Sequence, residues 1–310
     1  MALVIPLIVA GVAAAELVLR YQASRVLSFD VEHFPYYRRP KNAQGKEAYF
    51  VEREGWDKPA VMHTYSEGIR GDIEREHKKG RKLILGIGCS FMEGAYYSDN
   101  ETFTGRLERF LDKKYTVINA GIGGYGPFQK AAMLSSLARY KPKIAIVQLL
   151  DFKRIPLNEE KVMAGKKELL FYQRLKNWSH LLYHISKIKP RRFAGVRSPF
   201  VVRDKSREEL WELNKKYLDD MRATCLKHGI SLVMFVWPNV NPTVLYNWFI
   251  MDKLKEYCVE YGIATFDART MTSNYDPNEL ILEHDAHPNA LANRLMAKAA
   301  WMCLKGNGMV

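Results

Sequence analysis

Lys82-Leu83-Ile84-Leu85-Gly86-Ile87 runs straight into Gly88-Cys89-Ser90-Phe91-Met92-Glu93-Gly94. The first six residues read as a short buried strand, near-continuous in apolar side chains as the strands of a parallel sheet are. The next seven leave a serine on the turn after the strand, with glycines on both sides. Asn100-Glu101-Thr102 then opens a helical pattern with Phe103, Leu107, Phe110 and Leu111 on one face. A serine in this position suits a nucleophile. Its hydroxyl faces the carboxyl edge of the sheet, where ligands bind in open α/β sheets, and the glycines let other groups approach closely.

Outward from this stretch, the α/β alternation continues. Apolar runs predict strands over 82–88, 115–119, 143–150, 230–237 and 263–266. Helical patterns cover about 100–113, 127–140, 205–228, 245–262 and 289–303. Strands separated by helices predict a parallel sheet covered on both faces. The chain of 310 residues is 47% hydrophobic, enough for a sizeable core. Four cysteines, Cys89, Cys225, Cys258 and Cys303, show no metal-ligand spacing and are too sparse for a disulfide scaffold, although pairing among them stays open.

Two further stretches carry chemistry. Asn119-Ala120-Gly121-Ile122-Gly123-Gly124-Tyr125-Gly126 comes after the second strand and holds four glycines in six residues. Such a loop either leaves backbone N–H groups free to point at an anion, as an oxyanion site needs, or is simply a tight turn. It matches neither the G-x-G-x-x-G nor the Walker pattern of phosphate cradles. Glu283-His284-Asp285-Ala286-His287-Pro288-Asn289 stands directly before the last helix. A histidine there can act as general base with a neighbouring acid orienting it. Zinc on His284 and His287 is the rival reading, but no further ligand cluster accompanies them. No cofactor is expected.

At the N-terminus, Ala2 to Leu19 is apolar apart from Glu16, and Arg20 and Arg25 come next. The run is about as long as the shortest spanning helix and predicts an uncleaved membrane anchor, with a signal peptide cut near Ala13-Ala14-Ala15 as the alternative. Arg20 and Arg25 alone would place the remainder of the chain in the cytoplasm. The predicted layout is an anchor over 1–27, an irregular lead-in over 28–80 packing over the main domain, and an α/β domain over 81–310 with a basic helical insert at about 155–204.

The net charge is +13, and residues 139–200 carry most of it, with 15 Lys and Arg against 4 Asp and Glu. Within 161–197 the apolar residues Leu169, Leu170, Tyr172, Leu175, Trp178, Leu181, Leu182, Ile185 and Ile188 recur at near-helical spacing among Lys and Arg. This predicts an amphipathic helix over the core, or a surface for anionic lipid or an acidic protein partner. No nucleic-acid recognition motif accompanies the charge.

Taken together, Ser90 in Gly-Cys-Ser-x-x-x-Gly, the Asn119-Ala120-Gly121-x-x-Gly124 loop and the late His287-Pro288-Asn289 resemble the SGNH/GDSL hydrolase superfamily over about residues 60 to 305. Ser66-x-Gly68-Ile69-Arg70 and Glu16-Leu17-Val18-Leu19-Arg20 are similar to segments of its anchored bacterial members. The resemblance implies a three-layer, flavodoxin-like α/β sandwich with a central parallel sheet, preceded by one N-terminal transmembrane helix. It implies an esterase or acyl-transferring relative, working on O-acyl groups of a glycan or lipid, held at the bacterial inner membrane with its main domain outside the cytoplasm. It assigns Ser90 as nucleophile and first oxyanion donor, Gly124 N–H as second donor, His287 as base and Asp285 as orienting acid. Three departures stand out. Cys89 replaces the family's Asp, Asp285 lies two rather than three residues before the histidine, and Leu150 stands where the third oxyanion donor, an Asn, belongs. Lys153 or Arg154 could supply positive charge instead. The departures point to the alternative, a degenerate domain retained as a structural or binding subunit of a membrane complex.

Overall fold

The computed structural model describes residues 4–25, 39–43, 46–47, 60–94, 96–150, 152, 205–237, 244–282 and 285–310, with single positions between 171 and 182. Most of the basic insert therefore lies outside the described residues, as do Glu283, His284, Lys153 and Arg154.

The elements are these, in chain order. A first helix, α1, spans Val4–Arg25. Two short strands, β1 (Lys46–Glu47) and β2 (Val61–Met62), pair antiparallel ahead of helix α2 (Ile73–Lys78). The central strands are β3 (Lys82–Gly88), β4 (Tyr115–Gly121), β5 (Ile144–Leu149), β6 (Ser231–Val236) and β7 (Ala264–Thr265). Between and after them run α3 (Ser90–Glu93), α4 (Phe103–Glu108), α5 (Pro127–Leu137), α6 (Arg207–His228), α7 (Val244–Glu260) and α8 (Arg269–Thr272). A hairpin of β8 (Ile281–Leu282) and β9 (Asp285–Pro288) leads into α9 (Ala290–Gly306).

The five central strands form one parallel sheet in the order β4-β3-β5-β6-β7. Numbered along the sheet's own strands this is 2-1-3-4-5, the doubly wound flavodoxin-like order. The chain steps one way from β3 to β4 and the other way thereafter. Right-handed crossovers then put α4 on one face and α5, α6 and α7 on the other. α9 packs on α4, and α5 packs on α6. The reversal falls between β3 and β5, so the carboxyl end of β3 is the place where such a sheet opens a ligand crevice. Ser90 sits there.

Strands β3, β4 and β5 are almost wholly buried because both faces carry helices. The edge strand β4 is blunted by side chains. Val117 N–H donates to Glu108 Oε2 at 3.0 Å, Arg81 donates to Tyr115 O, and the backbones of Arg70 and Asn119 exchange two bonds of 3.0 Å. These contacts obstruct the extension of the sheet by a second chain.

Two expectations need correction. The helix expected over 100–113 is only Phe103–Glu108, preceded by a 3-10 turn at Asp99–Glu101. Gly105 within it weakens the helix. The second correction concerns the expected spanning helix. Among the described residues no helix is long and apolar enough to cross a membrane. The uncharged part of α1 before Glu16 is 12 residues, Val4–Ala15, or about 18 Å against a hydrocarbon core of about 30 Å. Glu16 itself is bonded to protein, accepting from Arg20 Nε at 2.6 Å, Ser179 Oγ at 2.9 Å and Leu181 N at 2.8 Å.

All four cysteines are free and buried. Burial pushes the Cys225 and Cys258 thiols up to about 12, so they behave as inert core residues.

Candidate active site

Ser90 opens α3, a helix of a single turn. A turn this short has no stability of its own, so its shape is imposed from outside. Arg70, only 3% exposed, does much of this. Its Nη1 donates to the carbonyls of Glu93 at 2.8 Å and Gly94 at 2.9 Å, its Nη2 to Tyr97 O at 2.8 Å, and its Nε to Asp99 Oδ1 at 2.7 Å. The rigid guanidinium fork thus fixes the end of α3 and the loop behind it. Asp99 Oδ2 in turn meets His63 Nδ1 at 2.8 Å.

A second brace comes from Asn119 on β4. Its Nδ2 donates to Met92 O at 2.9 Å and its Oδ1 accepts from Gly121 N at 3.0 Å. The third is Glu93, a carboxylate 1% exposed. It accepts from Arg39 Nε at 2.7 Å through Oε1 and from Gly123 N at 3.0 Å through Oε2. The fourth is Gln148 on β5, whose Oε1 accepts from Cys89 N at 3.0 Å and Cys89 Sγ at 3.3 Å. Cys89 is therefore a buried structural partner of Gln148. Gly121 admits no side chain here: a Cβ would lie 2.4 Å from Glu93 N and 2.7 Å from Met92 C.

The candidate base arrives from the far end of the chain. His287 lies on β9, and its Nε2 is 2.8 Å from Ser90 Oγ. The imidazole stands between two aromatic rings, Phe91 at 5.0 Å and Tyr96 at 5.1 Å between centroids. Phe91 is backed edge-on by the buried Trp237 at 6.0 Å. Asn289 fixes the segment behind the histidine. It donates to Glu279 O at 2.7 Å and Ile281 O at 3.2 Å, and caps α9 by accepting from Ala292 N at 3.0 Å. Ser90 and His287 are both partly exposed, so a substrate can reach them.

Of the two readings of the glycine loop, the structure shows the tight turn. Rather than offering a row of free N–H groups, the loop commits most of them internally. Gly121 N goes to Asn119, Ile122 N to Gly88 O at 3.1 Å, Gly123 N to Glu93, Tyr125 N to Ile122 O at 3.2 Å and Gly126 N to Gln129 Oε1 at 2.9 Å. Gly124 takes a positive φ of 83°, which favours glycine. Leu150 comes directly after β5 and packs partly buried against the core, with no side-chain donor to offer.

Ser90 and His287 are thus brought together as expected. Asp285 lies two residues before His287 on β9; its side chain, like His284, is outside the described residues. Among the described residues no cluster of His, Cys, Asp or Glu could hold a metal. Sequence reading missed the roles of Arg39, Arg70, Glu93 and Gln148. Arg70 closes the Ser66-x-Gly68-Ile69-Arg70 segment, and the signal for Glu93 was a charge beside apolar residues in the nucleophile turn.

No protein-family model matches the sequence, and no curated protein matches it. Several solved structures resemble the fold. A G-D-S-L family lipolytic protein from Desulfitobacterium hafniense is 13% identical, with a TM-score of 0.47 over 72% of this chain and 100% of its own. A mutant of Axe2, an acetyl-xylooligosaccharide esterase from Geobacillus, is 11% identical, with a TM-score of 0.48 over 72% and 94%. The psychrotrophic esterase EstA from Pseudoalteromonas is 12% identical, with a TM-score of 0.44 over 73% and 97%.

Proposed function

We propose that the chain is a serine esterase or acyl-transferring enzyme of the SGNH type, acting on O-acyl groups of a glycan or lipid. The observation that carries this is the 2.8 Å contact between Ser90 Oγ and His287 Nε2 at the switch point of the sheet. In the first step Ser90 Oγ attacks the ester carbonyl while His287 Nε2 takes its proton. The tetrahedral oxyanion is met by the N–H of Ser90, a donor of a first helical turn, and by that of Gly124. Collapse breaks the ester C–O bond, and His287 returns the proton to the leaving alkoxide. Water or an acceptor hydroxyl then resolves the acyl-enzyme by the same steps in reverse. Asp285 orients the imidazole and stabilises its cation.

A second reading comes from Leu150. Without a third donor the domain would bind rather than turn over, serving as a subunit of a membrane complex. Labelling with a fluorophosphonate separates the two. Wild-type protein is expected to label and Ser90→Ala to remain blank. Equal labelling of both, or of neither, would remove the esterase mechanism.

The proposal includes attachment to the bacterial inner membrane by the N-terminal helix, with the α/β domain on the extracytoplasmic side. It is supported by the apolar run Ala2–Leu19 and the family resemblance. Protease shaving of intact spheroplasts checks it: the domain is expected to be digested.

A further inference from the structure

Glu16 and Arg20 are the only charged side chains between Met1 and Tyr21, and neither faces outward unopposed. They pair with each other at 2.6 Å. Glu16 also accepts from Ser179 Oγ and Leu181 N, while Arg20 Nη2 donates to Trp178 O at 2.6 Å. Two of the three charges of the N-terminal helix are thus used to stitch it to the segment around 171–182, 158 residues away in the chain at the Arg20–Trp178 bond. On α1 the residues Ala15, Glu16 and Leu19 are partly covered, as are Leu175, Ser179 and Leu181 on the other side.

What this joint leaves outside is apolar. On α1, Val9 is 61% exposed, Leu17 68% and Tyr21 65%; on the second segment, Phe171 is 61% and Trp178 71%. A helix apolar over most of its circumference is stable only when something covers it, and such a cluster on a surface marks an interaction site. The charge of the same stretch of sequence narrows the partner. Arg174 is exposed within the segment, and residues 139–200 as a whole carry +11 by sequence. Aromatic side chains beside basic ones, next to a stripe of aliphatics, have the chemistry of a bilayer interface: rings at headgroup level, cations on phosphates.

We propose that α1 and the described residues between Phe171 and Leu182 form one docking surface for an anionic phospholipid membrane, with α1 lying along the interface rather than crossing it. The inference deepens the membrane attachment proposed above and is independent of the Ser90 chemistry. The Glu16–Arg20–Trp178 stitch pairs the two charges with each other and with protein, and ties the two apolar segments together.

The test is flotation of the full chain with vesicles of phosphatidylcholine alone or mixed with phosphatidylglycerol, together with quenching of tryptophan by lipids brominated on the upper acyl chain. Binding is expected to be about ten-fold or more stronger on the anionic vesicles at low salt, since each basic residue near such a surface contributes about five-fold. That preference should collapse at about 0.5 M NaCl, where charges are screened within a few Å. Brominated lipid should quench wild type, and Trp178→Phe, a conservative change at an exposed position, should remove most of that quenching while leaving the fold intact. Phe171→Ser with Trp178→Ser should weaken binding to both vesicle types. Equal binding to neutral and anionic vesicles, no binding to either, or identical quenching in wild type and Trp178→Phe would overturn the proposal and hand the surface to a protein partner. Fluorophosphonate labelling of the same preparations reads the Ser90 proposal separately, so either can fail alone.

Discussion

The two halves of the site are held in different ways. Ser90 stands on a turn gripped by three buried side chains, Arg70, Asn119 and Gln148, each bonded to backbone within or beside α3, while the turn's own Glu93 reaches out to Gly123 N and Arg39. His287 stands on a two-stranded hairpin, held by two rings and by Asn289 behind it. A nucleophile whose own N–H also meets the oxyanion must have its backbone fixed, because a small misplacement is costly. A base needs its ring plane fixed, and the two aromatic walls do this. The difference predicts that damage to the nucleophile side shows as lost stability, and damage to the base side as lost turnover.

The largest effect is expected on the base side. Asp285→Asn should lower kcat by about 10⁴-fold with little change in Tm, since a neutral amide cannot stabilise the imidazolium and favours the wrong tautomer. His284→Ala should do far less. Hydrolysis of a short acyl ester checks both, and the opposite ranking would give the orienting role to His284.

On the nucleophile side, Glu93→Ala should cost about 3–5 kcal/mol of stability, because it strips the buried Arg39 of its carboxylate and Gly123 N of its acceptor. Glu93→Gln should cost less, since an amide oxygen can still accept from Gly123. Urea denaturation measures both. A loss under about 1 kcal/mol for the alanine variant would mean that the turn is not held from this side.

These braces also show what the sequence could and could not disclose. The central strands were legible nearly to their ends, because burial on both faces writes an unbroken apolar run. The Ser90 and His287 pair was legible because glycine and proline punctuate both turns. The braces were not, since Arg39–Glu93 and Arg70–Asn119 join residues far apart in the chain, and no local pattern marks such a pair. The β8–β9 hairpin escaped notice for a simpler reason: strands of two and four residues carry no periodicity. Thus the stretch before the last helix turns out to hold His287 on a strand.

Between the two sides lies the proposed oxyanion site, where Leu150 offers no side-chain donor. Leu150→Asn should raise kcat, by up to about 10²–10³-fold if the new amide reaches the oxyanion, because one such donor is typically worth that much. Unchanged turnover in a variant that still labels with fluorophosphonate would show that the two backbone donors already suffice.

The smallest effect tests the support of the base rather than the base itself. Asn289 ties the β8–β9 hairpin to the start of α9 by side-chain bonds to Glu279 O, Ile281 O and Ala292 N. Asn289→Ala removes the helix cap, which costs about 1 kcal/mol in stability. Asn289→Asp keeps the acceptor for Ala292 N but loses the donor to the two carbonyls. If the hairpin aims His287, both variants should lower kcat several-fold, although only the alanine variant loses the cap. If the cap matters and the aiming does not, Asn289→Asp should turn over like wild type. That outcome would leave Phe91 and Tyr96 as sufficient walls for the imidazole.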